Sequence, residues 1–225
     1  MDGDDVEHGS SIKRKDQTMY IVERFYRETI ISRLIKPVSK TFITPNMITI
    51  FNCILGFFIF YMGYKNMFIE VAIAFQIYEL LDHLDGNLAR YKNMSSEFGA
   101  KLDRISDFVF YTLVFVFIGF NNVEWYLILM VIMLINLYGF IAKSYIVPRL
   151  RKLNVIKRGK IKRWFLDKGY IIGMDLTLLG VITSFFLILG EIHILYYVII
   201  AGYIIDIIYR VIELKINEGL KENKG

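Results

Sequence analysis

The chain has 225 residues, 55% of them apolar, with a single cysteine and a formal net charge of +5. Its mean hydropathy of +0.44 excludes the even apolar–charged balance of an ordinary soluble domain. Cys53 alone excludes an internal disulfide framework, and His8, His83 and His193 lack the spacing of a zinc site. One membrane-embedded domain is expected.

Taken in order, residues 1–18 are polar and charged, with no apolar core and cleavage site. They read as a disordered cytoplasmic tail rather than a secretory signal. Residues 19–42 form a juxtamembrane segment. Within it Met19 to Lys36 mixes aromatic, aliphatic and charged side chains and ends before Pro37. It is either a helix lying on the cytoplasmic membrane face or one packed beneath the bundle. Residues 43–216 hold six apolar runs, each near the roughly 20 residues that a helical span needs. They cover about Ile48–Tyr64, Met67–Leu84, Ile105–Phe120, Trp125–Val147, Tyr170–Gly190 and Ile192–Leu214. Residues 217–225 form a second cytoplasmic tail. The expected fold is an all-α integral membrane protein of six transmembrane helices with an N-terminal cytoplasmic surface helix. Every basic residue except Lys65 falls on one side of this layout. The positive-inside rule then puts both termini in the cytoplasm. Compactness and the lack of targeting signals suggest a prokaryotic plasma membrane.

The chemistry is concentrated where the second run meets the third. Asp82-His83-Leu84-Asp85-Gly86-Asn87-Leu88-Ala89-Arg90 is followed eight residues later by Gly99-Ala100-Lys101-Leu102-Asp103-Arg104-Ile105-Ser106-Asp107. At about 100° per residue, Asp82, Asp85, Gly86 and Ala89 share one helix face, and Gly99, Asp103 and Asp107 share another. An antiparallel pair can turn these faces together, so that four carboxylates converge at the cytoplasmic rim. Acids near lipid need a cavity, a partner or a cation. One or two Mg²⁺ or Mn²⁺ ions would relieve their repulsion, since hard cations prefer oxygen ligands. Gly86, Ala89 and Gly99 leave room for a ligand against the backbone, and Arg90 offers a fixed charge suited to phosphate. The bland reading, helix-capping acids and surface ion pairs, explains Asp103 alone.

This pattern, Asp82-x-x-Asp85-Gly86-x-x-Ala89-Arg90, eight residues, then Gly99-x-x-x-Asp103-x-x-x-Asp107, resembles the signature of the CDP-alcohol phosphotransferases. The resemblance implies six spans, a homodimer and a cytoplasmic active site. It makes Asp82, Asp85, Asp103 and Asp107 metal ligands, with Asp107 also the general base. Gly86, Ala89, Arg90 and Gly99, with Asp85 beside them, would line the nucleotide pocket. Thr44-Pro45-Asn46-Met47-Ile48-Thr49 is similar to a family element that makes Asn46 and Thr49 nucleotide contacts, though Thr-Pro-Asn is equally a plain helix start.

The implied reaction transfers a substituted phosphate from a CDP-linked donor to an alcohol acceptor, releasing CMP. Two versions fit. In one, CDP-diacylglycerol meets a polar alcohol or alcohol phosphate. In the other, a soluble CDP-alcohol meets a lipid or glycan hydroxyl. The basic cytoplasmic face suits a phosphorylated acceptor, and Lys143, Arg149 and Arg151, nearest a span end, are the candidate acceptor contacts. The same charges also read as topogenic residues against anionic membrane lipids. No nucleic acid is expected as a partner. The rival class is a cation-binding transporter, but such sites usually lie near the membrane midplane on broken helices.

Overall fold

The computed structural model describes residues 18–153 and 156–222. Apart from Thr18, the expected disordered tail lies outside them. The protein is 82% helical, with eight helices among the described residues. Helix α1 (residues 21–39) starts as Ile21–Phe25, widens into a π-helical turn at Tyr26–Ile31 and continues as Ser32–Ser39. It was expected to stop before Pro37 but passes through it. The proline sits in the last turn, where its missing N–H forfeits a single helical bond.

Helices α2 (Pro45–Tyr64), α3 (Phe68–Tyr91) and α4 (Glu97–Gly119) follow with short links. Thr44 caps α2, its Oγ1 accepting the Met47 N–H at 3.3 Å, with Pro45 in the first turn. Ser96 caps α4 in the same way, accepting the Gly99 N–H at 3.0 Å. Helix α5 (Trp125–Arg151) carries a π-helical turn at Ala142–Ile146, just ahead of Pro148. Then come the short α6 (Lys160–Asp167), α7 (Leu176–Leu189) and α8 (Ile192–Glu222). Two two-residue strands, β1 (Met19–Tyr20) and β2 (Tyr170–Ile171), pair in parallel and tie the start of α1 to the approach to α7.

Three helices are long and apolar enough to cross a membrane: Pro45–Tyr64, Trp125–Arg151 and Ile192–Leu220. Helices α3 and α4 have 24 and 23 residues, but acids at their adjoining ends lower their apolar character. The fifth expected span, from Tyr170 to Gly190, is a helix of only 14 residues. At 1.5 Å per residue that is about 21 Å, against roughly 30 Å of hydrocarbon. Its first residues went instead into β2 and a bend at Gly173, φ +157°. The last helix runs to Glu222, past the expected boundary at 216.

The main core joins α2, α3, α4, α5, α7 and α8, with Phe75, Val114, Phe115, Leu179 and Ile199 fully buried. Outward faces carry exposed apolar side chains such as Phe57, Trp125 and Ile205, on a scale that water tolerates poorly. A smaller core of Ile31, Ile48, Leu84 and Leu88 joins α1, α2 and α3 directly beside the acidic turn. Across the same junction the Lys92 ammonium donates to the carbonyls of Thr41 (3.0 Å) and Ile43 (2.8 Å). The start of α2 is thereby held against the end of α3.

Candidate active site

The acidic turn is assembled from three helices. Asp82 and Asp85 lie one turn apart near the end of α3, and Asp103 lies in the second turn of α4. One carboxylate oxygen from each falls within 4.8 Å of the others. Asp85 is buried, and its Oδ2 accepts the Thr49 hydroxyl at 2.6 Å, so α2 fixes the orientation of an acid on α3. Among the described residues none of these three forms an ion pair with Lys, Arg or His. Three carboxylates this close with no protein cation repel one another, and a hard divalent cation with oxygen ligands fits the set.

Beside them lies a cleft of about 210 Å³, and all seven residues expected at the nucleotide line it. Asn46 and Thr49 come from α2, Asp85, Gly86, Ala89 and Arg90 from α3, and Gly99 from α4. The volume is below the roughly 300–1,000 Å³ of closed small-molecule pockets, room for a phosphate-sized group rather than a whole nucleotide. A Cβ placed on Gly86 would touch nothing but the Arg90 guanidinium, at 3.8 Å. That position is small because the cleft is there, not because protein crowds it. Gly99 is different: a Cβ would lie 2.6 Å from Asn46 Oδ1 and 3.0 Å from Ser96 Oγ. Burial, and then the nearby Arg27 charge, lower the Arg90 pKa, but a guanidinium remains a cation at neutral pH.

Asp107 extends the cluster at its edge, its carboxylate beside that of Asp82. It is one turn beyond Asp103 on α4, about 6 Å further along the axis, and it falls outside the mutual reach of the other three. It lines a second cavity of about 390 Å³, together with Tyr20, Tyr138 and Asp175. Its Oδ1 is buried without a hydrogen-bond partner. The four acids of the motif thus form one cluster, in which Asp82, Asp85 and Asp103 converge most closely and Asp107 joins through Asp82.

Lys143, Arg149 and Arg151 are exposed at the far end of α5, and none of them lines either cavity. Arg149 is already engaged. Its guanidinium lies 4.1 Å over the Tyr145 ring and 3.6 Å from Glu218. His83, off the acidic face, packs 5.6 Å from the Tyr26 ring and meets Thr177 Oγ1 at 3.1 Å. Sequence reasoning missed the Lys92 clamp and the Ser96 cap. The second had a local signal in Ser96 immediately before Glu97, whereas the first depends on carbonyls some 50 residues away.

The comparisons with known proteins agree with this geometry. The model of the CDP-alcohol phosphatidyltransferase family matches residues 42–192. An uncharacterized protein of Aquifex aeolicus (strain VF5) is 29% identical over 199 residues, which is 84% of this chain and 91% of that protein. Two solved structures of the phosphatidylinositol phosphate synthase PgsA1 of Mycobacterium tuberculosis share the fold. One is in complex with manganese and citrate, at 15% identity and TM-score 0.54 over 82% of this chain and 88% of that one. The other has CDP-DAG bound, at 16% identity and TM-score 0.54 over 82% and 93%. With three converging carboxylates, a cleft lined by small residues and Arg90, and the family match across two thirds of its length, the chain belongs to the CDP-alcohol phosphatidyltransferase family and is a transferase of substituted phosphate groups.

Proposed function

We propose that the protein is a metal-dependent CDP-alcohol phosphotransferase of phospholipid synthesis, joining the phosphatidyl group of CDP-diacylglycerol to a polar alcohol or alcohol phosphate with release of CMP. The observation that carries this reading is the meeting of Asp82, Asp85 and Asp103 within 4.8 Å, at the edge of the cleft that Arg90 lines. The donor lipid is supported by the family's description and by the neighbouring fold solved with CDP-DAG bound.

Asp82, Asp85 and Asp103 would hold Mg²⁺ or Mn²⁺. A divalent cation there supplies Lewis-acid stabilisation of the phosphate oxygens. Thr49 keeps Asp85 turned toward its partners. Gly86 and Ala89 let the nucleotide approach the α3 backbone, and Arg90 holds diphosphate charge. The acceptor hydroxyl comes from the cavity that Asp107 lines, and Asp107 receives its proton. A new O–P bond forms as the P–O bond to CMP breaks. In the membrane, six spans would leave both termini and this site on the cytoplasmic side, and two copies would form a homodimer.

The test is to incubate purified protein with CDP-diacylglycerol, Mg²⁺ or Mn²⁺ and a panel of alcohols, following CMP and product mass. Metal-dependent CMP release is the expected result, and none with any donor or acceptor would overturn the reading. Asp107→Asn is expected to lower turnover roughly 10³-fold while retaining donor binding. Wild-type rates in that variant would remove Asp107 from the role of base.

A further inference from the structure

Helix α6 borders neither cavity described above, and helical spacing divides its eight residues into three sides. Lys162, Phe165 and Leu166 turn inward and are half-buried. Ile161 and Trp164 stand on an outer flank, 74% and 53% exposed. Lys160 and Arg163 take the remaining exposed side. The inward side is fastened to α8. The Lys162 ammonium pairs with Glu213 at 2.5 Å, and just ahead of α6 the Asn217 amide donates to the Lys157 carbonyl at 2.9 Å.

These ties fix the level of α6 along α8. At that level α8 still turns Ile212 and Ile216 outward, 51% and 53% exposed. They continue an exposed row that begins at Ile205 and Ile208 on the same helix face. Water tolerates such a row poorly, whereas lipid covers it at no cost. The apolar layer therefore reaches as far as α6, and the flank of Ile161 and Trp164 lies at its edge.

We propose that α6 is an interfacial helix that binds the anionic surface of the surrounding bilayer, with Ile161 and Trp164 among the headgroups and Lys157, Lys160 and Arg163 against lipid phosphates. This goes beyond the reaction proposed above and does not depend on it. Between Ile156 and Lys168 the chain carries six basic residues and a single acid, Asp167. Among the described residues only Lys162 of the six is in an ion pair. The other five leave an excess of positive charge beside the lipid edge, where anionic headgroups attract it. Tryptophan favours the same headgroup level. The Lys168 ammonium lies 3.8 Å over the Trp164 ring, so that ring and a cation share one depth. An acidic soluble partner would also meet the cations, but it would leave the lipid-facing row of α8 next to it uncovered.

The experiment uses the full chain in vesicles of equal parts phosphatidylcholine and phosphatidylglycerol. Bromine is placed on the chains of one lipid or the other, close to the headgroup, so that total quencher is constant. The chain has two tryptophans, and Trp125→Phe leaves Trp164 as the only emitter. Its fluorescence is expected to be quenched by either lipid, and about twofold or more strongly when phosphatidylglycerol carries the bromine. Lys157→Gln/Lys160→Gln/Arg163→Gln in that background should keep the quenching and lose the preference, which separates a charge effect from damage to the fold. Trp164→Phe leaves Trp125, beside Glu124 at the other end of α5, and it should show no preference for the anionic lipid. Absence of quenching at Trp164 would place α6 in water and overturn the proposal. Equal quenching by the two lipids, a preference unmoved in the triple variant, or the same preference at Trp125 would overturn it as well.

Discussion

Asp103 and Asp107 sit one turn apart on α4, and each faces a different space. On the Asp103 side the wall is made of Gly86, Ala89, Gly99 and polar groups, with Arg90 as the cation. On the Asp107 side it is largely rings, with Asp175 as a second acid and no basic side chain. One helix therefore borders two spaces of different character, one walled by small and polar residues and the other by rings and carboxylates. In the proposed reaction the acids between them would be where phosphorus changes partners.

The comparison breaks first at Asp103. Asp103→Asn is expected to lower CMP release on the order of 10³-fold, because it removes charge aimed at the transferring group. Without divalent cation the same variant should hold or raise Tm, since one of three mutually repelling carboxylates is gone. A variant that loses both activity and Tm would point to a structural acid. Arg90→Ala comes next, with kcat/KM for the donor lowered roughly 10–100-fold, the scale of a charge-assisted hydrogen bond. An effect on acceptor KM alone would put Arg90 on the wrong side.

The smallest and sharpest contrast is between two glycines. Gly86→Ala should weaken the donor several-fold while holding or raising Tm, since alanine in a helix is better by about 0.5–1 kcal/mol and its Cβ meets only Arg90 at 3.8 Å. Gly180→Ala on α7 should do the reverse. Its Cβ would lie 2.8 Å from Glu79 Oε1 and 3.0 Å from Phe75 Cε1, an overpacking that costs about 1–3 kcal/mol. Thermal unfolding in detergent and donor KM separate the two.

The motif was legible because helical periodicity is local. Asp82 and Asp85 share a face by spacing alone, and Asp103 reaches them once α3 and α4 run antiparallel. The same periodicity also placed Asp107 on the face of Asp103, and both meet Asp82 there, but it says nothing of which further side chains wall each turn. Apolar runs found the helices but not their ends: the fifth run conceals the Gly173 bend and β2, whose strand partner is Met19–Tyr20. A charged stretch reports topology and not pocket walls, which is why Lys143, Arg149 and Arg151 lie away from both cavities while Asp175, a lone acid among apolar residues, lines one.

The β1–β2 pairing has a consequence in time. Met19 and Tyr20 leave the ribosome about 150 residues before Tyr170 and Ile171, roughly 10–30 s earlier at ordinary rates of synthesis. Helix α1 can settle on α3 long before that, through contacts such as the Tyr26 hydroxyl with Gln76. Its leading end, however, must wait for nearly the whole bundle to be inserted. That end also supplies Tyr20 to the wall beside Asp107. The cavity beside Asp107 is therefore finished late in biogenesis, and a half-made chain carries the acids without this part of their enclosure.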